Sequence, residues 1–496
     1  MRKFLYIIGG IFLIICTNTF SSCNDDKIST NPSHFLSFSQ DTVFFDTVFT
    51  TIGSSTATFK VYNHNQEGVL IQRLLLANAA NSGFRINVDG HSGTDFTGLE
   101  IRKRDSMFIF IEVNVNPQNH ANPVLMKDSL VFELSNGVRQ DVKLLAYGQD
   151  VLIIRGKVIR QDTVFNSLRP ILVYDSLRVD EGKTLTMQRG TRLYFHDKIH
   201  CMVYGTLKAE GTYAEPVVLR GDRTDWMFSD LPYDRVAGQW GGVRFYSSSY
   251  DNNLNYVDIH GGQYAVRCDS SDVGKMKLTL ENSVLHNVKG NALTATSCKI
   301  KVANSQITNA ESNCVSLLGG DGEFIHCTIA NFYSWGIRGG VAISIRNVDN
   351  KVEYPLLRAD FRNCLITGSS SDELSGAQAE NKDVPFNYSF SYSLVNTILD
   401  EKASDYQEQL THYVNCAWDD KKDEYKRSLS KDKNFLYIGR EDYLYDFRPD
   451  SVSAAINLSL RKDAELYPLD RQGRSRLSDA APDAGCYEWM PGDKKE

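Results

Sequence analysis

The sequence lacks a surplus of basic residues, and this absence excludes one large class of function. Its 54 lysines and arginines are outnumbered by 61 aspartates and glutamates, which gives a formal net charge of −7 at pH 7. A protein that binds nucleic acid without regard to sequence needs a basic face that neutralises phosphates. No stripe of arginine and lysine is visible that would provide such a face. We therefore expect no nucleic-acid partner.

Closely paired cysteines are also missing. The chain has ten cysteines but no Cys-x-x-Cys pair, a spacing that is typical of structural zinc sites. Cys16 and Cys23 lie near the N-terminus, and the other eight are scattered. We expect these eight to be small core residues, with disulfides as the alternative in an oxidising compartment. We expect no metal and no cofactor.

The N-terminus has the pattern of a targeting segment. Residues 1–3 are basic apart from the initiator methionine, and residues 4–16 form an apolar run that is too short to span a bilayer comfortably. The sequence Phe-Ser-Ser-Cys at 20–23 resembles a bacterial lipobox, with Phe20 where leucine is usual. The resemblance implies that Cys23 carries a diacylglycerol and becomes the first residue. An ordinary secretory signal cleaved close by is the alternative.

This resemblance implies a location and a membrane partner. Residues 1–22 are then a lipoprotein signal peptide, and residues 23–35 are an acylated tether. Several acyl chains form a firm anchor, because one chain alone binds a membrane only marginally. Asp25 and Asp26 resemble the export signal of surface lipoproteins in Bacteroides-like bacteria, with a solvated linker as the alternative. The resemblance therefore implies an outer-membrane lipoprotein that faces the cell exterior.

Residues 36–150 are predicted to form an all-β domain. Apolar and polar residues alternate along several segments, such as 108–115, and Asn136-Gly137 is a strong two-residue hairpin signal. About seven strands without a convincing helix are typical of a β-sandwich. The segment resembles the immunoglobulin-like modules of surface lipoproteins and of ciliary or spindle-associated proteins. It has no Cys…Trp…Cys signature, which excludes an antibody-type domain.

One side-chain pattern returns every 22 residues between Lys277 and Arg338. The segment Asn-Ser-Val-Leu-His-Asn at 282–287 reappears in modified form at 304–309 and at 326–331. Three short strands per period, separated by turns, are typical of one coil of a parallel β-solenoid. The pattern therefore predicts a solenoid in this part of the chain.

Equivalent side chains of successive coils are expected to stack. The spacing predicts an asparagine ladder and an interior aliphatic stack, the first formed by Asn287, Asn309 and Asn331 and the second by Leu293, Val315 and Ile337. The period then slips, because the next equivalent of His326 is Asn363. We expect an insertion of about 15 residues around 347–357, on the face where solenoids usually carry function.

Three segments identify a family for this region. They are Val-Tyr-Gly-Thr-Leu-Lys-Ala-Glu-Gly-Thr at 203–212, Gly-Gln-Trp-Gly-Gly-Val-Arg-Phe at 238–245 and Leu-Asn-Tyr-Val-Asp-Ile at 254–259. Here the chain resembles right-handed parallel β-helix proteins of bacterial surfaces. The resemblance implies an all-β fold in which a pectate-lyase-like β-helix over 151–400 follows the immunoglobulin-like β-sandwich. Residues 401–496 then form an irregular segment and a capping block that closes the open end of the coil.

Four side chains are candidates for ligand binding. Arg267 and Arg338 fall in one predicted row, with two hydroxyl residues between them, and could contact an acidic glycan. Tyr264 and Trp335 lie near turns and could stack on sugar rings. An ordinary solvated face is the alternative.

No catalytic residues can be assigned in the repeats. A polysaccharide lyase or a glycoside hydrolase on this fold needs a base or clustered carboxylates. Asp258 stands alone in its row, and His260 and His286 align without a convincing acid. We predict a non-catalytic binding or scaffolding module for an outer-membrane protein complex or a glycan. A polysaccharide lyase or glycoside hydrolase is the alternative.

Overall fold

The computed structural model describes residues 27–228, 231–399, 401–418, 432–478 and 481–493. The chain divides into two compact units, one ending at Gln149 and the other beginning at Asp150. In the part of the chain that is described, no helix is long and apolar enough to cross a membrane. The predicted lipobox and its Cys23 lie outside the described residues.

The first unit contains two five-stranded sheets that share one hydrophobic core. Its strands are β1 (Ser37–Phe38), β2 (Thr42–Phe49), β3 (Ala57–Tyr62), β4 (Val69–Leu76), β5 (Phe84–Val88), β6 (His91–Gly93), β7 (Asp95–Ile101), β8 (Ser106–Val113), β9 (Val124–Leu134) and β10 (Arg139–Gln149), with a short helix α1 (Ala79–Ser82). The sheet orders are β1-β3-β8-β5-β6 and β2-β10-β9-β4-β7. Strand pairs are antiparallel except for the parallel pair β2–β10.

The alternating pattern of the sequence explains this core. In β8, Ile109, Ile111 and Val113 are buried, whereas Phe108 and Phe110, which alternate with them, are exposed. Buried residues of both sheets belong to the same cluster, as expected when two sheets pack face to face. The all-β prediction is confirmed for this unit, and its immunoglobulin-like character stays a prediction.

The second unit is dominated by parallel strands. These are, with a few hairpin strands among them, β11 (Leu152–Ile159), β12 (Thr163–Phe165), β13 (Ile171–Val179), β14 (Thr184–Gln188), β15 (Arg192–Phe195), β16 (His200–Val203), β17 (Thr206–Glu210), β18 (Val217–Gly221), β19 (Trp226–Phe228), β20 (Leu231–Pro232), β21 (Gly242–Phe245), β22 (Asn252–Asn255), β23 (Val257–His260), β24 (Val266–Cys268), β25 (Met276–Glu281), β26 (Val284–Val288), β27 (Leu293–Thr296), β28 (Lys299–Ala303), β29 (Gln306–Ala310), β30 (Val315–Leu318), β31 (Gly320–Ile325), β32 (Thr328–Asn331), β33 (Ile343–Arg346), β34 (Val348–Asp349), β35 (Val352–Glu353), β36 (Leu356–Arg362), β37 (Leu365–Gly368), β38 (Leu374–Ala377), β39 (Ser389–Ser391), β40 (Leu394–Val395), β41 (Tyr413–Val414) and β42 (Ala417–Trp418). Short helices occur at Tyr233–Arg235 (3₁₀) and at α2 (Tyr406–Leu410).

The strands follow one another in a three-step cycle, which is the connectivity of a parallel β-solenoid. Face A consists of β15, β18, β23, β26, β29, β32, β37, β40 and β42, and face B of β16, β21, β24, β27, β30, β33 and β38. The long β13 pairs with the first strand of each face. Face C is the ten-stranded sheet β12-β14-β17-β22-β25-β28-β31-β36-β39-β41. The predicted solenoid is confirmed at this level.

The register confirms the 22-residue repeat over three coils. On face A, Leu285, Ile307 and Ile329 pair in sequence and point inward, where all three are buried. The asparagine ladder is present as well: the Asn331 side chain donates to the carbonyl of Ala310 at 2.9 Å. Such bonds satisfy the backbone of buried turns between neighbouring coils.

The predicted aliphatic stack is wrong at its last member. Val315 pairs with Ile343, which is buried, whereas Ile337 is 94% exposed. Six extra residues between β32 and β33 carry Ile337 out of the coil. The insertion that the sequence placed around 347–357 is therefore divided in two, and its second part is the small hairpin β34–β35.

The described cysteines all carry free thiols, and only Cys416 is not fully buried. They are Cys201, Cys268, Cys298, Cys314, Cys327, Cys364, Cys416 and Cys486. Several of them, including Cys314 and Cys327, belong to the core of the solenoid. The prediction of compact core cysteines is confirmed.

The C-terminal block packs against face A of the coil, and its expected role as an end cap stays a prediction. It contains β43 (Phe435–Gly439), β44 (Leu444–Pro449) and α3 (Arg461–Ala464). Its Cys486 and Tyr487 form hydrogen bonds to side chains of β32 and β29, and its hydrophobic cluster extends to Leu394 of β40. Outward residues of face A such as Leu365 are apolar, and the block covers them in a separate hydrophobic cluster. Burial of this apolar surface explains the lateral position.

Candidate functional site

One outward row of face B is rich in arginine. The row is made of successive register partners on four neighbouring strands, namely Arg178, Met202, Arg244 and Arg267. Because side chains alternate along a strand, all four project from the coil. Their inward neighbours, such as Val243, belong to the core. The strand period thus collects three guanidinium groups on one surface.

The row keeps an excess of positive charge. Arg178 pairs with Asp180 at 2.8 Å. Asp269 forms ion pairs with two arginines, because its carboxylate oxygens lie 2.9 Å from Arg244 and 3.3 Å from Arg267. Three cations therefore share two carboxylates. The Arg267 side chain is half exposed and has the longer of the two Asp269 contacts, so it is the most available of the three.

Tyrosine rings border this row. Tyr204 and Tyr246 stack with their centroids 4.0 Å apart, and the Arg178 and Arg244 guanidinium groups lie 4.7 Å and 4.5 Å from those rings. Cation–π contacts of this kind hold the arginine heads in place. We call the row and these rings the Arg–Tyr patch, with the members Arg178, Met202, Tyr204, Arg244, Tyr246, Tyr264 and Arg267.

Tyr264 lies beside the row and contacts His200. The two rings are 5.7 Å apart, and the Tyr264 hydroxyl lies 3.0 Å from His200 Nδ1. Burial, followed by the charge of Arg244, lowers the pKa of His200, while burial raises the pKa of Tyr264 to about 12. The phenol therefore stays protonated and donates to a neutral imidazole at neutral pH.

The Gly-Gly of the Gln-Trp-Gly-Gly segment makes this contact possible. A Cβ at Gly241 would lie 2.3 Å from His200 Nδ1, and one at Gly242 would lie 2.3 Å from the Tyr264 carbonyl oxygen. Gly242 also has φ +104°, a conformation that other residues rarely adopt. This Gly-Gly motif, on which the resemblance to β-helix proteins partly rests, thus has a local structural reason.

The four sequence-predicted ligand residues fall in two places. Arg267 and Tyr264 meet in the Arg–Tyr patch. Arg338 does not share their row, because the register continues from Ser316 to Ser344. It lies in the insertion after β32, nearly buried, 2.9 Å from the fully buried Glu373. Trp335, in the same insertion, stacks on Tyr443 at 4.0 Å.

Face A carries a second cluster that the sequence analysis did not assemble. Asp258 Oδ1 lies 2.7 Å from His260 Nδ1 and 3.2 Å from His286 Nε2. The prediction that Asp258 stands alone and that the two histidines lack an acid is therefore wrong. The missed signal is the i, i+2 spacing of Asp258 and His260, which places both side chains on one side of β23.

Asp234 and Arg220 complete the cluster from outside. His260 Nε2 lies 3.1 Å from Asp234 Oδ1, and Asp234 forms an ion pair with Arg220. Burial works against charge at Asp258, but His260 and His286 hold its pKa well below the usual range. Burial likewise opposes the charged form of His260, but Asp258 and Asp234 raise its pKa to about 9. Without a bound ion, His260 is a cation at neutral pH and cannot act as a general base.

No family model and no curated protein matches the chain. Three solved structures each match about a quarter of it, at TM-scores of 0.17 to 0.18. The PapD-like domain 7 of human CEP192 is 9% identical over 25% of this chain and 90% of that one. A family 123 glycoside hydrolase from Clostridium perfringens is 9% identical over 23% and 25% of the two chains. A protein of unknown function from Porphyromonas gingivalis W83 is 11% identical over 26% and 60%. At these scores the similarities carry no argument about function.

Proposed function

We propose that this chain is an outer-membrane lipoprotein, anchored through Cys23, whose right-handed, pectate-lyase-like β-helix binds an acidic polysaccharide at the cell surface without cleaving it. The immunoglobulin-like β-sandwich connects this β-helix to the acylated tether. The observation that carries the glycan proposal is the Arg–Tyr patch of face B.

The chemistry of the patch suits a polymer with carboxylate or sulfate groups. A guanidinium group donates two parallel hydrogen bonds to such an anion, which makes arginine a specific reader of planar acidic groups. Arg244 and Arg267 come from neighbouring strands, about 4.8 Å apart, so both can reach one anionic group. An incoming carboxylate would share or replace Asp269 as their partner.

The tyrosines supply the second half of glycan recognition. The apolar face of a pyranose ring packs on an aromatic ring, and a phenol hydroxyl can bond to sugar hydroxyls. Tyr264 and the stacked pair Tyr204–Tyr246 flank the arginines on the same face. A combination of cations and aromatic rings therefore favours an acidic sugar over a neutral one.

Binding without cleavage is supported by the state of the carboxylates in the patch. Asp180 and Asp269 are both held by arginine. Neither is the unpaired carboxylic acid that a hydrolase uses to protonate the glycosidic oxygen. The alternative of a glycoside hydrolase would need its catalytic carboxyl groups elsewhere on the coil, and the alternative of a polysaccharide lyase is tested by its unsaturated products.

The proposal is tested with the mature chain in which Cys23 is replaced by alanine to keep it in solution. Binding to polygalacturonate and alginate is measured by calorimetry, with dextran as the neutral polymer. We expect binding to the acidic polymers alone, weakened by salt, and weakened roughly tenfold or more by Arg267→Ala.

Arg189→Ala is the matched control, because Arg189 is exposed and paired with Glu215 at 3.3 Å but lies outside the patch. An equal loss of affinity in this control, or equal binding of dextran, would contradict the proposal. Release of new reducing ends or of unsaturated products would favour the enzyme alternative.

A further inference from the structure

We propose that Asp258, His260 and His286 of face A form a binding site for a divalent transition-metal ion such as Zn²⁺. Each residue offers one ligand atom, and the three atoms all lie within 4.8 Å of one another. Two imidazoles and one carboxylate are a ligand set that suits zinc and other first-row divalent ions. This site is separate from the Arg–Tyr patch, so the inference goes beyond the proposed function.

The two distances between the Asp258 carboxylate and the imidazoles are close to those that a bound ion requires. Zinc bonds to nitrogen and oxygen are about 2.0–2.2 Å long, so its ligand atoms lie roughly 3.3 Å apart in a tetrahedral site. The Asp258 carboxylate is 2.7 Å from His260 Nδ1 and 3.2 Å from His286 Nε2. Small rotations of the side chains would admit the ion. It would take the place of the proton between Asp258 and His260, and that proton would leave to solvent.

The backbone holds the three ligands with little freedom. Asp258 and His260 are two residues apart on β23, and His286 is the register partner of His260 on β26. The two imidazole rings lie 4.7 Å apart. The His260 carbonyl accepts a bond from the buried Trp240 indole at 2.8 Å, which fixes the strand from inside the coil. Sites on neighbouring strands are positioned more sharply than sites on loops.

Asp234 provides an independent observation that points to a metal. Metal-bound histidine usually donates its second ring N–H to a carboxylate, which fixes the ring and its tautomer. His260 Nε2 meets Asp234 Oδ1 at 3.1 Å, and Asp234 is itself paired with Arg220. Asp234 reaches the site from the short 3₁₀ helix Tyr233–Arg235, outside the coil. A structural ion pair between Asp258 and His260 does not need this second carboxylate.

The site is open to solvent on one side. The side chains of Asp258 and His286 are 29% and 24% exposed, while that of His260 is 8% exposed. Three protein ligands and an accessible side leave a coordination position for water or for an anionic ligand. Structural zinc sites are normally closed by four protein ligands. We therefore infer an ion with an exchangeable position.

The test uses the full mature chain with Cys23→Ala, stripped with a chelator and dialysed. Zn²⁺ is titrated by calorimetry, and Co²⁺ is added as a spectroscopic probe. We expect one ion per chain, a Co²⁺ spectrum without the charge-transfer band of thiolate ligands, and a melting temperature that rises with Zn²⁺ concentration. His286→Gln should abolish stoichiometric binding, and Asp234→Asn should weaken it by about 10–100-fold.

His196→Gln is the matched control, because His196 forms a similar pair with Asp222, at 2.8 Å, outside the cluster. This variant should bind Zn²⁺ like the parent. Less than one equivalent bound by the parent, unchanged stoichiometry in His286→Gln, or a thiolate band with Co²⁺ would each overturn the proposal. Circular dichroism of each variant separates loss of the site from loss of the fold.

Discussion

Individual residues matter most for the stability of the coil at the positions where the backbone turns sharply. Asn287 and Asn309 have φ of +52° and +55°, in the left-handed region that asparagine tolerates better than most residues. Both are buried, and the Asn309 side chain accepts a bond from the Phe332 N–H at 3.2 Å. Their 22-residue spacing in the sequence therefore reflects a conformational requirement as well as a hydrogen bond.

Asn309→Ala should lower the free energy of unfolding by about 1–3 kcal/mol. The change removes a buried acceptor and places alanine in a left-handed conformation. Urea denaturation of the mature chain measures the loss. Asn253→Ala, at an exposed position of face C, should be nearly neutral, and the affinity for glycan should stay unchanged in both variants. An unchanged unfolding free energy for Asn309→Ala would contradict the role of the ladder.

Glu373→Ala should destabilise the protein more strongly, by about 3–5 kcal/mol. Glu373 is fully buried, pairs with Arg338, and accepts bonds from the N–H groups of Ala342 and Ser370. Its loss leaves a nearly buried arginine without its carboxylate. Thermal denaturation measures the effect, with Glu353→Ala in the exposed hairpin as the control. Equal melting temperatures of the two variants would refute this account of Arg338.

At the scale of elements, the turns absorb irregularity while the strands keep their register. The insertions after β32 and between β33 and β36 shift the chain by different amounts, yet Phe324 still pairs with Phe361 on face C. Their rings stack at 4.5 Å inside the coil. Loop length changes the cost of closing a turn only slowly, so coils can carry insertions without loss of the interior stack.

The C-terminal block depends on a buried ion pair for its contact with the coil. Arg476 bonds to Glu488 within the block and to Asn304 of the coil, the latter at 2.6 Å. Burial is the chief cause that raises the pKa of Glu488 to about 7. The folded state therefore binds a proton at this carboxyl more tightly than the unfolded chain, whose carboxyl has a pKa near 4.5.

This shift predicts how stability depends on pH. Because the folded pKa is raised, the contribution of Glu488 is fully present below about pH 4.5 and is lost as the pH rises through about 7. The unfolding free energy should fall by roughly 1–3 kcal/mol across that window because of this group. Comparing Glu488→Gln with the parent isolates the effect, since glutamine does not titrate. Parallel pH profiles of the two proteins would exclude it.

At the scale of the whole molecule, two units with separate cores are joined in one chain. The proposed attachment to the membrane depends on a third part, the signal peptide and the Cys23 that follows it. The proposed glycan binding and the proposed membrane attachment thus depend on different segments of the chain. A substitution that tests one of them should leave the other unchanged.

Cys23→Ala should release the protein from the membrane fraction, because the acyl chains would have no thiol to which they attach. Fractionation of cells that express the full chain, followed by immunoblotting, measures this. Cys16→Ala, within the leader, should leave attachment intact. Recovery of Cys23→Ala in the membrane fraction would refute the lipoprotein proposal.

The sequence by itself determined the all-β class, the coil and its interior rows. Strand alternation and the 22-residue step follow from local geometry that is the same in every coil, so both patterns are visible in the sequence. The pairing of Leu278 with Ile300 and then Gly322 follows that step directly. The net negative charge and the absence of a Cys-x-x-Cys pair are likewise read from the sequence alone.

Tertiary structure decided which residues meet across coils and insertions. The register after β32 depends on how many residues leave the coil, and the repeat does not encode that number; Ile337 was misplaced for this reason. Asp234 approaches His260 from an insertion, and the C-terminal block reaches face A from the far end of the chain. Such contacts depend on where loops return and on which outward apolar rows need cover. Neither the place where a loop returns nor the row that needs cover repeats at a fixed spacing in the sequence.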